Sequence, residues 1–186
     1  LIGELISGDD QRAERVVPRL AIFGDAALGK LLPLLTSDNP DHRWWAVRAL
    51  AEFEQPSARD GLCKALSDHS YPAVRHCAAM GLREQPTTRA LPALLTALQE
   101  KDRLLSRLAA DALAALGPKA IPELQEASQS EDAAVRIEAV RALAMMKDPE
   151  TIGTLFSLLD DPSSVVTYWA EKGLEDLGVG MVFFEP

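Results

Sequence analysis

Leucine returns along this chain at a nearly fixed interval. Leu20, Leu50, Leu82, Leu113, Leu143 and Leu174 are separated by 30, 32, 31, 30 and 31 residues. Four positions before each of the last five stands an alanine, Ala46, Ala78, Ala109, Ala139 or Ala170. One position before each stands Ala49, Gly81, Ala112, Ala142 or Gly173. Small residues three apart, followed directly by leucine, share one face of a helix and would fall on both faces of a strand. Alanine and glycine on that stripe let a neighbouring helix approach closely, and leucine fills the space beside them. A unit of this size cannot bury its apolar face alone, so the repetition limits the chain to a solenoid completed by its neighbours.

Each leucine helix is preceded by a second apolar segment, such as Leu31–Leu35, Leu62–Leu66, Leu91–Leu95, Ile121–Leu124 and Ile152–Leu159. Pro33, Pro92 and Pro122 fit the first turn of these segments, where a missing N–H costs nothing. Acidic turns such as Ser37–Asp41 and Ser130–Asp132 separate the two helices and offer caps to the second. Gly24, Gly117 and Gly178, four residues past their leucines, mark where that second helix stops. The expected fold is all-α, a single domain of about six helical hairpins. The units run over 1–28, 29–57, 58–88, 89–118, 119–149 and 150–180, with a short tail at 181–186. The first departs most from the pattern, with Val16 in the alanine place and Pro18 expected to interrupt its helix. The chain opens on Leu1 already within a helical pattern, so it is expected to be a piece of a longer protein.

Arg43, Arg75 and Arg136 occupy one equivalent position, seven before the leucine, with Ser106 and Thr167 replacing arginine in other units. Their expected role is structural, bonding the acidic turns of the same or adjacent unit. The formal net charge of -9 opposes binding to phosphate backbones, which sets nucleic acid aside as a partner. Two cysteines, Cys63 and Cys77, make no disulfide framework and fit a reducing compartment such as the cytoplasm. No stretch reaches the roughly 18 apolar residues of a membrane span. Cys63, His69, His76 and Cys77 gather in one unit, but their spacing matches no zinc signature. Catalytic, metal and cofactor-binding residues are therefore expected to be absent; no phosphate-binding glycine loop or nucleophile elbow occurs.

The segments Val74–Leu82 and Val135–Leu143 resemble the second helix of the short HEAT-like repeats named after phycobilisome lyases. Ala114–Leu124 resembles that family's link into the next unit. The spacing of about 31 residues is shorter than that of long HEAT and armadillo units, roughly 40–47. The resemblance implies a right-handed α-solenoid whose second helices line a concave side.

With roughly 100° per residue, positions six, five and two before each leucine, and two after it, share one flank of the second helix. That flank carries Trp44, Trp45, Arg48, His76, Met80, Arg107, Arg141, Tyr168 and Trp169, including every tryptophan of the chain. Tryptophan and arginine are enriched where interfaces concentrate their energy. These nine residues are the expected partner-binding set, although Trp45 and Trp169 equally suit packing between units. The expected function is a non-catalytic scaffold for another protein or peptide. The alternative invited by the resemblance is a bilin lyase or isomerase subunit in which Trp44, Trp45 and Tyr168 stack on a tetrapyrrole. A helical-repeat DNA glycosylase is a third reading, opposed by the net charge.

Overall fold

The computed structural model describes residues 1–179. These contain helices and turns and no strand. The expected tail 181–186 lies outside the described residues. Twelve α-helices follow one another: α1 Ile2–Leu5, α2 Asp10–Leu20, α3 Gly24–Leu34, α4 Pro40–Leu50, α5 Pro56–Leu66, α6 Pro72–Glu84, α7 Leu91–Leu98, α8 Arg103–Ala115, α9 Ile121–Ala127, α10 Ala133–Met146, α11 Ile152–Ser157 and α12 Ser164–Asp176. None of them is long and apolar enough to cross a membrane. The chain divides into two compact units, Leu1–Leu94 and Leu95–Pro186, with the boundary inside α7.

In the first unit α2, α4 and α6 are the leucine helices. Leu20, Leu50 and Leu82 are buried, with Ala46, Ala49 and Ala78 beside them. Gly81 explains the small-residue rule: a Cβ there would lie 3.0 Å from Leu62 and 3.2 Å from Ala51. Two proline expectations are corrected. Pro33 lies near the end of α3, because that helix begins at Gly24. Leu35 and Thr36 then close the helix with tighter bonds to Leu32 and Pro33. Pro18 does not break α2, which continues through it to Leu20. Lacking an N–H, Pro18 leaves the Glu14 carbonyl without its bond four residues on, and the helix runs on past that loss.

In the second unit α8, α10 and α12 repeat the design. Ala109, Leu113, Ala139, Leu143, Ala170 and Leu174 are all buried. Gly173 is the tightest position, since a Cβ there would lie 2.8 Å from Ala144 Cβ and 3.0 Å from Ala144 Cα. Asp102 and Asp132 cap α8 and α10 through their side chains, bonding Leu104, Leu105 and Ala134. Gly24, Gly117 and Gly178 all take positive φ (48°, 66° and 73°), which glycine reaches without the steric cost of a Cβ.

The residues seven before the leucines tie each unit's turns. In the first unit Arg43 donates to the Ser37 carbonyl at 2.6 Å and reaches Asp68 at 2.9 Å. Its guanidinium also lies 4.5 Å from the centre of the Tyr71 ring. Arg75 donates to the Leu66 carbonyl at 2.8 Å. In the second unit Arg136 donates to the carbonyls of Ser130 and Glu131 and grips both carboxylate oxygens of Asp161. Ser106 keeps the carbonyl contact without the charge, bonding Leu98 at 2.7 Å.

Candidate functional site

The two units present their second-helix flanks differently. In the first, Trp44 and Trp45 meet edge to face with ring centres 4.7 Å apart. Trp45 is only 8% exposed and belongs to the core, whereas Trp44 stays half-buried. Adjacent side chains on a helix diverge by about 100°, so one ring turns inward and supports the other. This is the edge-to-face geometry that aromatic quadrupoles favour.

Arg48 is already occupied. Its guanidinium meets Glu52 at 2.7 Å and Glu14 at 2.9 Å, and the hydrogen bond to Glu52 does most to raise its pKa. Glu14 escaped the sequence reading, although it lies six before Leu20 and therefore on the same flank of α2. Met80 is exposed and His76 half-buried. Cys77 is buried, and loss of water pushes its thiol up to about 12. A buried, protonated thiol of this kind is a weak nucleophile at neutral pH.

In the second unit Tyr168 is 56% exposed and meets the half-buried Trp169 at 5.4 Å, again edge to face. Arg107 is exposed on α8. Arg141 is 4% exposed. It lies 2.7 Å from both Asp111 and Glu138, donates to the Arg107 carbonyl at 3.1 Å, and touches Met145 Sδ at 3.0 Å. Burial works to lower its pKa, but Glu138 and Asp111 together outweigh burial and raise it. Its angular position predicted an open side chain. The long guanidinium instead folds back onto carboxylates of two helices, so Arg141 holds α8 to α10.

The nine predicted residues therefore separate. Met80, Arg107 and Tyr168 offer surface, Trp44, His76 and Trp169 are half-buried, and Trp45 and Arg141 are structural. Arg48 is partly open but neutralised.

The charge of the two units is also unequal. Residues 1–94 carry twelve Asp and Glu against eleven Lys and Arg, while residues 95–186 carry sixteen against eight. Almost the whole surplus of -9 thus belongs to the second unit.

Tandem helical hairpins with small-residue contacts and a polar ladder define an α-solenoid. The sequence pattern of the HEAT repeats family matches residues 28–114 and 92–175. The chain belongs to the HEAT repeats family. A bilin biosynthesis protein, RpcF of Synechococcus sp. (strain WH8020), is 36% identical over 89 residues, which cover 43% of this chain and 43% of that protein. The match thus spans less than half of that relative's length. The solved complex of CpcE and CpcF of phycocyanin lyase from Nostoc sp. PCC7120 is similar with a TM-score of 0.57 at 24% identity. That match covers 95% of this chain and 75% of that one. A designed armadillo repeat protein in complex with the peptide (KR)4 is similar with a TM-score of 0.55 at 18% identity, covering 95% and 97%. Both structural likenesses carry the solenoid fold.

Proposed function

We propose that this chain is the HEAT-repeat part of a bilin lyase-type subunit, which takes up an open-chain tetrapyrrole and works together with a second protein. The observation that carries this reading is the 36% identity to RpcF over 89 residues. The fold it shares with the CpcE–CpcF complex supports a protein partner. This places the lyase-type reading ahead of the purely non-catalytic scaffold expected from sequence. A bilin is a long conjugated π-system with acidic side chains. It therefore needs an aromatic surface without a strong negative field. The first unit combines a half-buried Trp44, braced by Trp45, with nearly balanced charge and an exposed Met80. The tetrapyrrole is assigned to that flank.

The test is titration of the protein with a free bilin, followed by visible absorbance and tryptophan fluorescence. Binding should change the bilin spectrum and quench emission, and Trp44→Ala should weaken both while circular dichroism stays unchanged. A spectrum identical to that of bilin in buffer would refute the proposal. Bilin transfer to an acceptor protein, with and without a copurified second subunit, then separates a lyase role from simple carriage.

A further inference from the structure

We infer that the cavity between α1 and α2 in the first unit binds a small molecule carrying two oxyanion groups, carboxylates or phosphoryl groups. The cavity has a volume of about 340 Å³ and is lined by Glu4 of α1 and by Arg12, Arg15, Val16 and Arg19 of α2. Val16 is buried and gives an apolar floor, and the three arginines are exposed. They stand eight, five and one before Leu20. One before its leucine every later unit places alanine or glycine, and eight before it four of them place Val74, Leu105, Val135 or Val166. On those helices the two positions serve packing. On α2 they hold guanidiniums, so packing does not account for the residue types.

Elsewhere in the unit Arg43, Arg48 and Arg89 each reach a carboxylate of another element. Arg15 instead donates through Nε to the Gln11 carbonyl at 3.0 Å, and neither it nor Arg19 enters an ion pair among the described residues. Arg12 meets Asp9 at 3.1 Å, Glu14 is turned to Arg48 at 2.9 Å, and Asp10 lies outside the lining. The cavity thus sets three guanidiniums against Glu4, and one positive charge remains even after Asp9 is counted. A polar end face needs only mixed groups to stay in solution, whereas here all three bases are arginine. At 1.5 Å per residue, Arg12 and Arg19 stand about 10 Å apart along the helix axis with Arg15 between them. That spread suits two anionic groups on one molecule, each taken by the paired N–H donors of a guanidinium. A long phosphate backbone would meet the net charge of -9 beyond the cavity, which a small dianion avoids. The acidic side chains of the tetrapyrrole are one source of the two oxyanions and a free dianion is another, so the cavity stands whether or not bilin binds.

The experiment titrates the full chain with inorganic pyrophosphate and, separately, with adipate in metal-free buffer, read by calorimetry. Acetate at equal ionic strength is the control. At least one dianion should bind saturably and more weakly as salt is added, and acetate should give no saturable heat. Arg15→Gln and Arg19→Gln should each weaken binding by about fivefold or more, through loss of a charge-assisted hydrogen bond. Glu4→Gln should tighten it about threefold by removing the one acid of the lining. Lys30→Gln, which removes an equal charge from the exposed face of α3, should leave it unchanged. Circular dichroism confirms that each variant is folded. Free bilin then identifies the source: a bilin displaced by the dianion, with its dimethyl ester left bound, assigns the cavity to the tetrapyrrole's acids, and joint binding assigns it to a free dianion. Failure of bilin itself to bind counts against the tetrapyrrole alone. No saturable heat with either dianion, equal binding of acetate, or folded Arg15→Gln and Arg19→Gln proteins that bind as tightly as the parent, overturns the inference.

Discussion

Replacing Gly173 with alanine sets helix propensity against packing. In an open helix the change gains about 0.5–1 kcal/mol, because alanine loses less conformational freedom. At Gly173 the new methyl would lie 2.8 Å from Ala144 Cβ, 2.9 Å from Leu155 Cδ1 and 3.0 Å from Ala144 Cα. The leucine tip can rotate away, but the Ala144 backbone moves only if α10 shifts against α12. Overpacking of this kind costs about 1–3 kcal/mol. The net expectation is a loss of about 1–2 kcal/mol, or about 2–8 °C in melting temperature for a chain of this size. Gly29, inside α3 with nothing within 4 Å, supplies the control. Gly29→Ala should stabilise by up to about 1 kcal/mol. Urea unfolding of both variants, followed by circular dichroism and tryptophan fluorescence, gives the two signs directly. Two probes are needed because stacked repeats unfold in segments as well as all at once. If Gly173→Ala raises the midpoint as Gly29→Ala does, the close approach of α10 and α12 is wrong.

Three further outcomes follow from groups already described. Arg141→Met strands Asp111 and Glu138 and should destabilise by about 3–5 kcal/mol, the usual cost of breaking a buried pair on one side; a thermal melt checks it. Arg136 holds the Asp161 carboxyl below its ordinary range. That stabilisation is complete above the unfolded carboxylate pKa of about 3.9 and disappears as pH falls through the lower folded value. Asp161→Asn should therefore lower stability at neutral pH and converge on the parent in acid, as melts across pH would reveal. Half-buried Cys63 should react with a thiol reagent before Cys77, whose thiol is pushed up to about 12, and peptide mapping of the labelled native protein reads the order.

The solenoid was legible because its packing code is periodic. Leucine and the small residues beside it are dictated by contact between successive helices, so the same types recur wherever the contact recurs. The start of α3 was not legible, since the apolar run Leu31–Leu35 looked like a helix beginning when it was a helix ending. The nine flank residues show a different limit. Helical angle fixes where Cα–Cβ points, which was enough to place Met80, Arg107 and Tyr168 at the surface. It does not fix where a guanidinium ends, and Arg141 turned inward to carboxylates whose combination no single helix displays. Arg48 likewise found Glu14, which lies 34 residues earlier in the chain.

The arginine contacts also give the chain a direction in time. Arg43 and Arg136 take carboxylate partners in the next turn along, Asp68 and Asp161, each 25 residues further toward the C-terminus. On a ribosome the guanidinium emerges first and its acid several seconds' worth of residues, or about one to five seconds, later. Until then a newly made hairpin has its carbonyl contacts but lacks its charge partner. Its completion is deferred to its successor, so a chain halted between the two ends on its least settled hairpin. Loss of the same length from the N-terminal side would leave both pairs whole.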